Sequence, residues 1–282
     1  MKAFAEWVLA IGDGCYKSRG GGVSNPKNEY EVVLPSDLCD FNGSNSLEKM
    51  FSAIYPQFES KFKDAGYLRE RAILTPLNKT VTYLNALIVD KLPGKLYSYF
   101  SVDSAEEFAG TDSDLSLSFP AEYLNSLHTP GLPLHELKFK EGVIVMLMRN
   151  LNQTIGLCNG TRMIVTKCLK HCVECEVISG SYVGTRHYIP RINCCPTDSK
   201  LPFKLIRKQM PLQVCYVITI NKAQGQSLES VGLYLPEPVF THGQLYVAVS
   251  RVTSPAGLRI FIDDTEGGST SVTDNVVFKE VF

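Results

Sequence analysis

The run Val217-Ile218-Thr219-Ile220-Asn221-Lys222-Ala223-Gln224-Gly225-Gln226-Ser227-Leu228 constrains the fold more than any other stretch. Val214, Val217, Ile218 and Ile220 make the near-continuous apolar run that a strand covered on both faces needs. The chain then turns polar within one residue. Thr219, Asn221, Lys222, Gln224, Gln226 and Ser227 surround Gly225, where backbone can approach a ligand closely. In an open α/β sheet ligands bind beyond the carboxyl ends of the strands, so this turn is a candidate site. The alternative from composition is an ordinary strand-to-helix loop.

Residues 241–251 (THGQLYVAVSR) read as a helix ending in a lone arginine. Leu245, Val249 and Val252 fall at i, i+4 and i+7 and give it one apolar face. A guanidinium at the end of that face can donate to a phosphate through two N–H groups, or cap its own helix.

The net charge of −1 hides a segregation. Residues 100–137 hold no Lys or Arg and seven Asp or Glu, whereas residues 138–208 hold twelve basic and four acidic side chains, a net of +8. So basic a segment is a candidate polyanion surface, against the alternative of a solvated basic face. No apolar run approaches the ~18 residues of a membrane span, and none is expected. Glu6 interrupts the start before a signal-peptide core can form. Nine cysteines, an odd number without such a signal, point to reduced thiols in the cytosol or nucleus.

Along the chain, residues 3–11 predict a helix with Phe4, Trp7, Val8 and Ile11 on one face, stopped at Gly12-Asp13-Gly14. A Gly/Ser/Asn-rich loop runs to Asn28, and residues 30–34 predict a strand closed by Pro35. Asn45-Ser46-Leu47-Glu48 resembles a capping box, and Pro56 should end the helix it opens. Residues 71–74 predict a buried strand and residues 75–90 a helix. A short helix is expected near 121–127, within an acidic surface insertion. Strands are expected at 143–148, 162–167, 173–178, 186–192, 231–235 and 258–262, with Asn159-Gly160 as a hairpin turn. The short strands after residue 137 suggest a small barrel.

Cys168-x3-Cys172-x2-Cys175, with His171 and Cys194-Cys195, has metal-like spacing, but adjacent cysteines fit a tetrahedral site poorly. The expectation is thiols and no metal. Nothing fits the phosphate loop G-x-x-x-x-G-K-[ST]. Gly12-Asp13-Gly14-Cys15-Tyr16-Lys17-Ser18 is a near miss, and Leu87-Ile88-Val89-Asp90 mimics a Mg²⁺-binding strand but reads better as a helix end.

TINKAQGQSL (219–228) and GQLYVAVSRVTS (243–254) resemble motifs V and VI of the superfamily-1B DNA helicases of the petite-integration-frequency (PIF) family, most of all the Helitron-type helicase. ERAILTPLN, LKFKEGVIVMLMRNLNQTIGLCNGTRMIV and LPFKLIRKQMPL match the family in the same order, and the likeness runs from about Phe4 to Asp264.

The resemblance implies an α/β second RecA-like (P-loop NTPase-type) domain carrying an inserted small SH3-like β-barrel. Residues 1–69 would be a linker or remnant joining an absent first RecA-like domain. Residues 70–137 and 205–265 would form the second RecA-like domain, 138–204 the barrel and 266–282 a tail. Arg251 would be the arginine finger. Gln224, Gly225, Gln226 and Ser227 would lie by the nucleotide. Thr219 and Asn221 would face DNA backbone, although Asn221 stands where a histidine is common in the wider family. Lys138, Lys140, Arg149, Arg162, Lys167, Arg186, Arg207 and Lys208 would supply the electrostatic grip on single-stranded DNA. Tyr182, Tyr188 and Phe203 are stacking candidates, with core packing as the competing role.

ATP and Mg²⁺ belong only to a complete two-lobed enzyme, so the chain by itself should bind no cofactor and hydrolyse no ATP. The implied setting is nuclear (or mitochondrial, although no transit peptide is evident), in DNA repair, recombination and telomere maintenance. The expected partners are single-stranded DNA and a chain or exon supplying the first lobe. The alternatives are a non-catalytic single-strand-binding module and a decayed transposon fragment.

Overall fold

A computed structural model of the chain describes residues 2–16, 31–39, 46–106, 119–196, 201–262 and 271–278. The chain divides into two compact units, 1–85 with 216–282 and 86–215.

The first unit contains helices α1 (Lys2–Gly12), α2 (Ser46–Ile54), α3 (Phe58–Lys61) and α4 (Ala65–Arg69), the start of α5 (Asn78–Lys91), and α7 (Gln244–Val249). Its strands are β1 (Glu31–Val33), β2 (Arg71–Thr75), β13 (Val217–Thr219), β14 (Ser230–Leu235), β15 (Leu258–Ile262) and β16 (Val272–Asp274). β13-β2-β14-β15 form a four-stranded sheet in which every pair is parallel. The apolar runs 72–74, 217–218 and 231–235 are buried throughout, as parallel strands covered on both faces require. α2 stops at Ile54 because Pro56, which has no N–H, follows. Gly232 lets α2 lie close on β14, since a Cβ there would come within 2.8 Å of Ile54 Cγ1. Tyr55, Phe58 and Tyr216 pack edge-to-face, and the Tyr55 hydroxyl donates to the Tyr216 carbonyl at 3.1 Å.

The sequence run that reads as one central strand is divided. Val214 belongs to β12 (Leu212–Val214), Ile220 opens a 3₁₀ turn, and β13 is an edge strand of three residues. Its outer edge is closed by a side chain. Asn85 of α5 accepts from Val217 N–H at 3.0 Å and donates to the Val217 carbonyl at 2.7 Å, as a neighbouring strand would. That pairing is why an edge strand can be buried with its backbone satisfied.

The second unit holds α6 (Ala121–Ser126) and β3 (Tyr97–Phe100), β4 (Val102–Glu106), β5 (Glu136–Phe139), β6 (Ile144–Leu147), β7 (Arg162–Cys168), β8 (Cys172–Val177), β9 (Arg186–Pro190), β10 (Ile192–Cys194), β11 (Lys204–Gln209) and β12. Strands β12-β6-β7-β8-β9 form an antiparallel sheet whose end strands pair with nothing further around the ring. Among the described residues the expected closed barrel is therefore an open five-stranded sheet. β10-β11-β4 and β3-β5 form two smaller sheets. The hairpin signal falls on a real turn: Thr161 N–H donates to the Cys158 carbonyl at 3.0 Å, with Gly160 at φ 89. The acidic insertion yields β3, β4 and α6, and residues 107–118 lie outside the described residues, as does most of the loop 15–28.

Candidate functional site

The two sequence stretches meet. β13 ends at Thr219, and residues 220–223 close a 3₁₀ turn followed by Gly225 at φ 79. Arg251 follows the short helix α7, and its guanidinium crosses to that turn. Nη1 donates to the carbonyls of Gln226 at 3.1 Å and Ala223 at 3.4 Å. Nε donates to the Val247 carbonyl at 2.8 Å and Nη2 to Ser250 Oγ at 2.7 Å. The Leu228 N–H closes the link by donating to the Arg251 carbonyl at 2.8 Å. Arg251 thus both caps its own helix and ties that helix to the turn. Of the five guanidinium N–H groups, one on Nη2 has no acceptor among the described residues. Burial lowers the Arg251 pKa from its usual value, yet an arginine keeps its charge.

Around this anchor Asn221, Lys222, Gln224, Gly225 and Ser227 are exposed, and Gln226 is half-buried with its amide donating to the Lys222 carbonyl at 3.2 Å. A Cβ on Gly225 would meet nothing within 4 Å, so the turn faces open space. The donor set is one arginine N–H with nearby amides and a hydroxyl on an open surface. It suits one side of a polyphosphate and does not enclose one. Thr219 is buried rather than presented at the surface.

The eight basic candidates separate into two groups. Arg162 and Arg207 are 1% exposed, and Lys140 is buried too. Lys140 Nζ donates to the carbonyls of Asp90 and Leu92, closing the end of α5. Arg207 pairs through Nε and Nη2 with Asp103 at 2.7–3.1 Å and also donates to the carbonyls of Leu124 and Pro133. Lys140 and Arg207 are internal fasteners and Arg162 is buried, which corrects the reading of these three as a DNA-facing surface. Arg149 is half-buried and donates to the Cys195 carbonyl. Lys138, Lys167, Arg186 and Lys208 are exposed, the first three beside Glu136, Glu174 and Glu176. Of the aromatics, Phe203 lies in the core around α6, Tyr182 covers Gly156, and Tyr188 is exposed.

On a strand, residues three apart point to opposite faces. Cys172 and Cys175 both lie on β8, which separates them, and Cys175 is fully buried. Among the described residues no three His, Cys, Asp or Glu side chains converge as a metal site. In the phosphate-loop near miss, Gly12 ends α1 while Lys17 and Ser18 lie outside the described residues. Leu87–Asp90 is the last turn of α5.

Sequence reasoning missed Asn85, Ser250 and Gln244. Gln244 is buried, and its amide oxygen accepts from Phe240 N–H at 3.1 Å. Ser250 was readable as the neighbour of Arg251, whereas nothing local marks Asn85. Thr75, opposite Thr219 in the sheet, is also buried, and its hydroxyl has no partner among the described residues.

Fold and site together define an α/β protein whose parallel sheet carries a polar, arginine-backed turn beyond its strand ends. Residues 122–168 match the family described as DNA helicase Pif1, 2B domain. The ATP-dependent DNA helicase PIF1 of Homo sapiens is 32% identical over 190 residues, covering 64% of this chain and 25% of that protein. The ATP-dependent DNA helicase Pif1 of Campylobacter jejuni is 45% identical over 247 residues, covering 85% of this chain and 53% of that protein. A crystal structure of Pif1 helicase from Candida albicans has a similar fold, with a TM-score of 0.59 at 20% identity, covering 96% of this chain and 55% of that one. The chain is thus similar to PIF1 helicases in sequence and to a Pif1 helicase in fold. It spans from about a quarter to about half the length of these relatives.

Proposed function

We propose that the chain supplies the arginine-bearing half of an ATP-dependent 5′-to-3′ DNA helicase of PIF type, nearest the Helitron-type enzymes, and that it works on single-stranded DNA in the nucleus. In this reading the parallel sheet is the second RecA-like domain and the five-stranded sheet descends from an SH3-like insertion. The observation that carries it is the junction of Arg251 with the 220–228 turn beyond the parallel strand ends.

Arg251, Gln224, Gly225, Gln226 and Ser227 would hold ATP with its Mg²⁺ from one side. The bound nucleotide supplies the phosphoanhydride whose cleavage drives movement. Arg251 would place its charge against the transferring phosphoryl group, an effect worth ~10³-fold or more in rate. Water positioning and metal binding fall to residues of the other lobe, because the sequence contains no phosphate loop.

Phosphate release by the purified chain, with and without single-stranded DNA, tests this. The expected result is none above the blank, and hydrolysis when a first RecA-like lobe is added, lost again in Arg251→Ala. DNA-stimulated hydrolysis by the chain alone would overturn the division of labour. The exposed Lys138, Lys167, Arg186 and Lys208 favour a second reading, a single-strand-binding module without a motor. That module would bind in a salt-sensitive way and gain nothing from an added lobe. A decayed transposon fragment would fold and bind weakly or not at all.

A further inference from the structure

The helix that leads into Arg251 has little of its own to hold it. α7 is six residues long, and its N-cap, Gly243, makes no side-chain capping bond. A helix of that length is unstable unless tertiary contacts seat it. Residues 275–278, which follow β16, supply such contacts to both α7 and α1. The Gly243 N–H donates to the Val276 carbonyl at 3.0 Å. The Phe278 N–H donates to His242 Nδ1 at 3.0 Å, and the two rings stack with centroids 5.5 Å apart. On the other side the buried Asn275 donates through Nδ2 to the Ile11 carbonyl at 2.8 Å, in the last turn of α1. Val277 is buried against Gly14, where a Cβ would come within 3.1 Å of the valine. α1 in turn lies on α7 through Gly12, where a Cβ would come within 2.8 Å of Tyr246 Cδ2.

These contacts run on to the arginine. The Tyr246 carbonyl accepts from Ser250 N–H at 2.9 Å, and the Val247 carbonyl accepts from Arg251 Nε at 2.8 Å. The turn of α7 on which α1 presses is therefore the turn that holds the guanidinium. We propose that residues 275–278 are a strap that keeps α1 seated on α7 and so holds Arg251 bonded to its own helix and to the 220–228 turn, and that lifting the strap frees the arginine. Phe278 is exposed, and the β1–β16 pairing ends at Asp274, so the strap lifts without unpairing those strands. That this regulates an ATP site rests on the proposed function, whereas the link from strap to arginine does not.

The test is hydrogen exchange followed by NMR in the full chain, in a chain ending at Asp274, which keeps β16, and in Asn275→Ala. Two protons report on the site: Arg251 Nε–H and the Leu228 N–H, which donates to the Arg251 carbonyl. The Ile73 N–H, which donates to the Tyr216 carbonyl beside the parallel sheet, reports on the unit as a whole. In the shortened chain the two site protons should exchange roughly tenfold faster or more, with Ile73 unchanged. Asn275→Ala should act in the same direction by roughly 3- to 10-fold. Site protons that exchange as before in the shortened chain would overturn the strap. So would a rise of equal size at Ile73, because the unit then opens as one body. If the shortened chain does not fold, Asn275→Ala decides by the same two criteria. No arm of the test uses ATP or a second lobe. A failed strap therefore leaves the proposed function standing, and a failed rescue of hydrolysis by an added lobe leaves the strap standing.

Discussion

Replacing Asn85 by alanine should unfasten the edge of the parallel sheet. The Asn85 side chain is 4% exposed and meets both backbone groups of Val217, at 3.0 and 2.7 Å. Tyr216 O already accepts from Ile73 N–H, so Val217 points away from β2 and depends on Asn85. Alanine leaves one buried donor and one buried acceptor unpaired. At about 1–3 kcal/mol each, the cost is about 2–6 kcal/mol, against a total stability of roughly 5–15 kcal/mol for a domain. Water entering the vacated space would set the low end of that range.

The assay is urea unfolding followed by the emission of Trp7, the chain's one tryptophan. Trp7 lies in α1, which packs on α7 in the same unit, so the signal reports on that unit. Asn85→Asp sharpens the test. Its carboxylate can accept from Val217 N–H but faces the Val217 carbonyl as a second acceptor. Burial and that carbonyl disfavour the charged form, which raises the folded pKa above the usual ~3.9. The folded variant then binds more protons than the unfolded chain, so its deficit shrinks as pH falls and grows as pH rises through the folded pKa. A loss below about 0.5 kcal/mol in Asn85→Ala, the range of neutral surface changes, would refute the claim that this amide closes the strand.

The Arg207–Asp103 pair should behave as a buried ion pair: Arg207→Met should cost about 3–5 kcal/mol by calorimetry, and adding Asp103→Leu should recover much of it. Thiol reactivity should follow burial. Cys15 is exposed, whereas burial pushes Cys168 up to about 11 and Cys39, with Asp37 adding, up to about 12. At pH 8 the thiolate fractions of Cys168 and Cys39 are then ~10⁻³ and ~10⁻⁴. In the folded chain iodoacetamide should label Cys15 first, with Cys168 labelling rising about tenfold per pH unit, read by mass spectrometry.

What was legible in the sequence is what local pattern controls. The strands expected at 71–74, 231–235 and 258–262 are written in apolar periodicity and form within a residue of those bounds, whereas the helix expected from residue 75 begins at Asn78, after Thr75 has ended the strand. The meeting of the turn with Arg251 was legible only through motif resemblance, since a span of 25 residues separates Gln226 from Arg251. The charge count misled for a physical reason. The acidic and basic segments are treated as separate patches in a linear tally, yet β4 pairs with β11 and sets Asp103 against Arg207 and Glu106 against Lys204. Part of the apparent +8 is thereby neutralised inside the fold, across more than 90 residues of chain. The same distance hid Asn85, whose partner lies 132 residues away.

The guanidinium of Arg251 holds two carbonyls of the 220–228 turn with the same nitrogen that sits nearest that turn. An anion that drew Nη1 away would release Ala223 and Gln226 in the same movement, and the loop would gain its freedom only at the instant the charge was engaged elsewhere. Capture of a ligand and slackening of the loop are then a single event, and a latch of that kind needs no separate part to carry the message from one to the other.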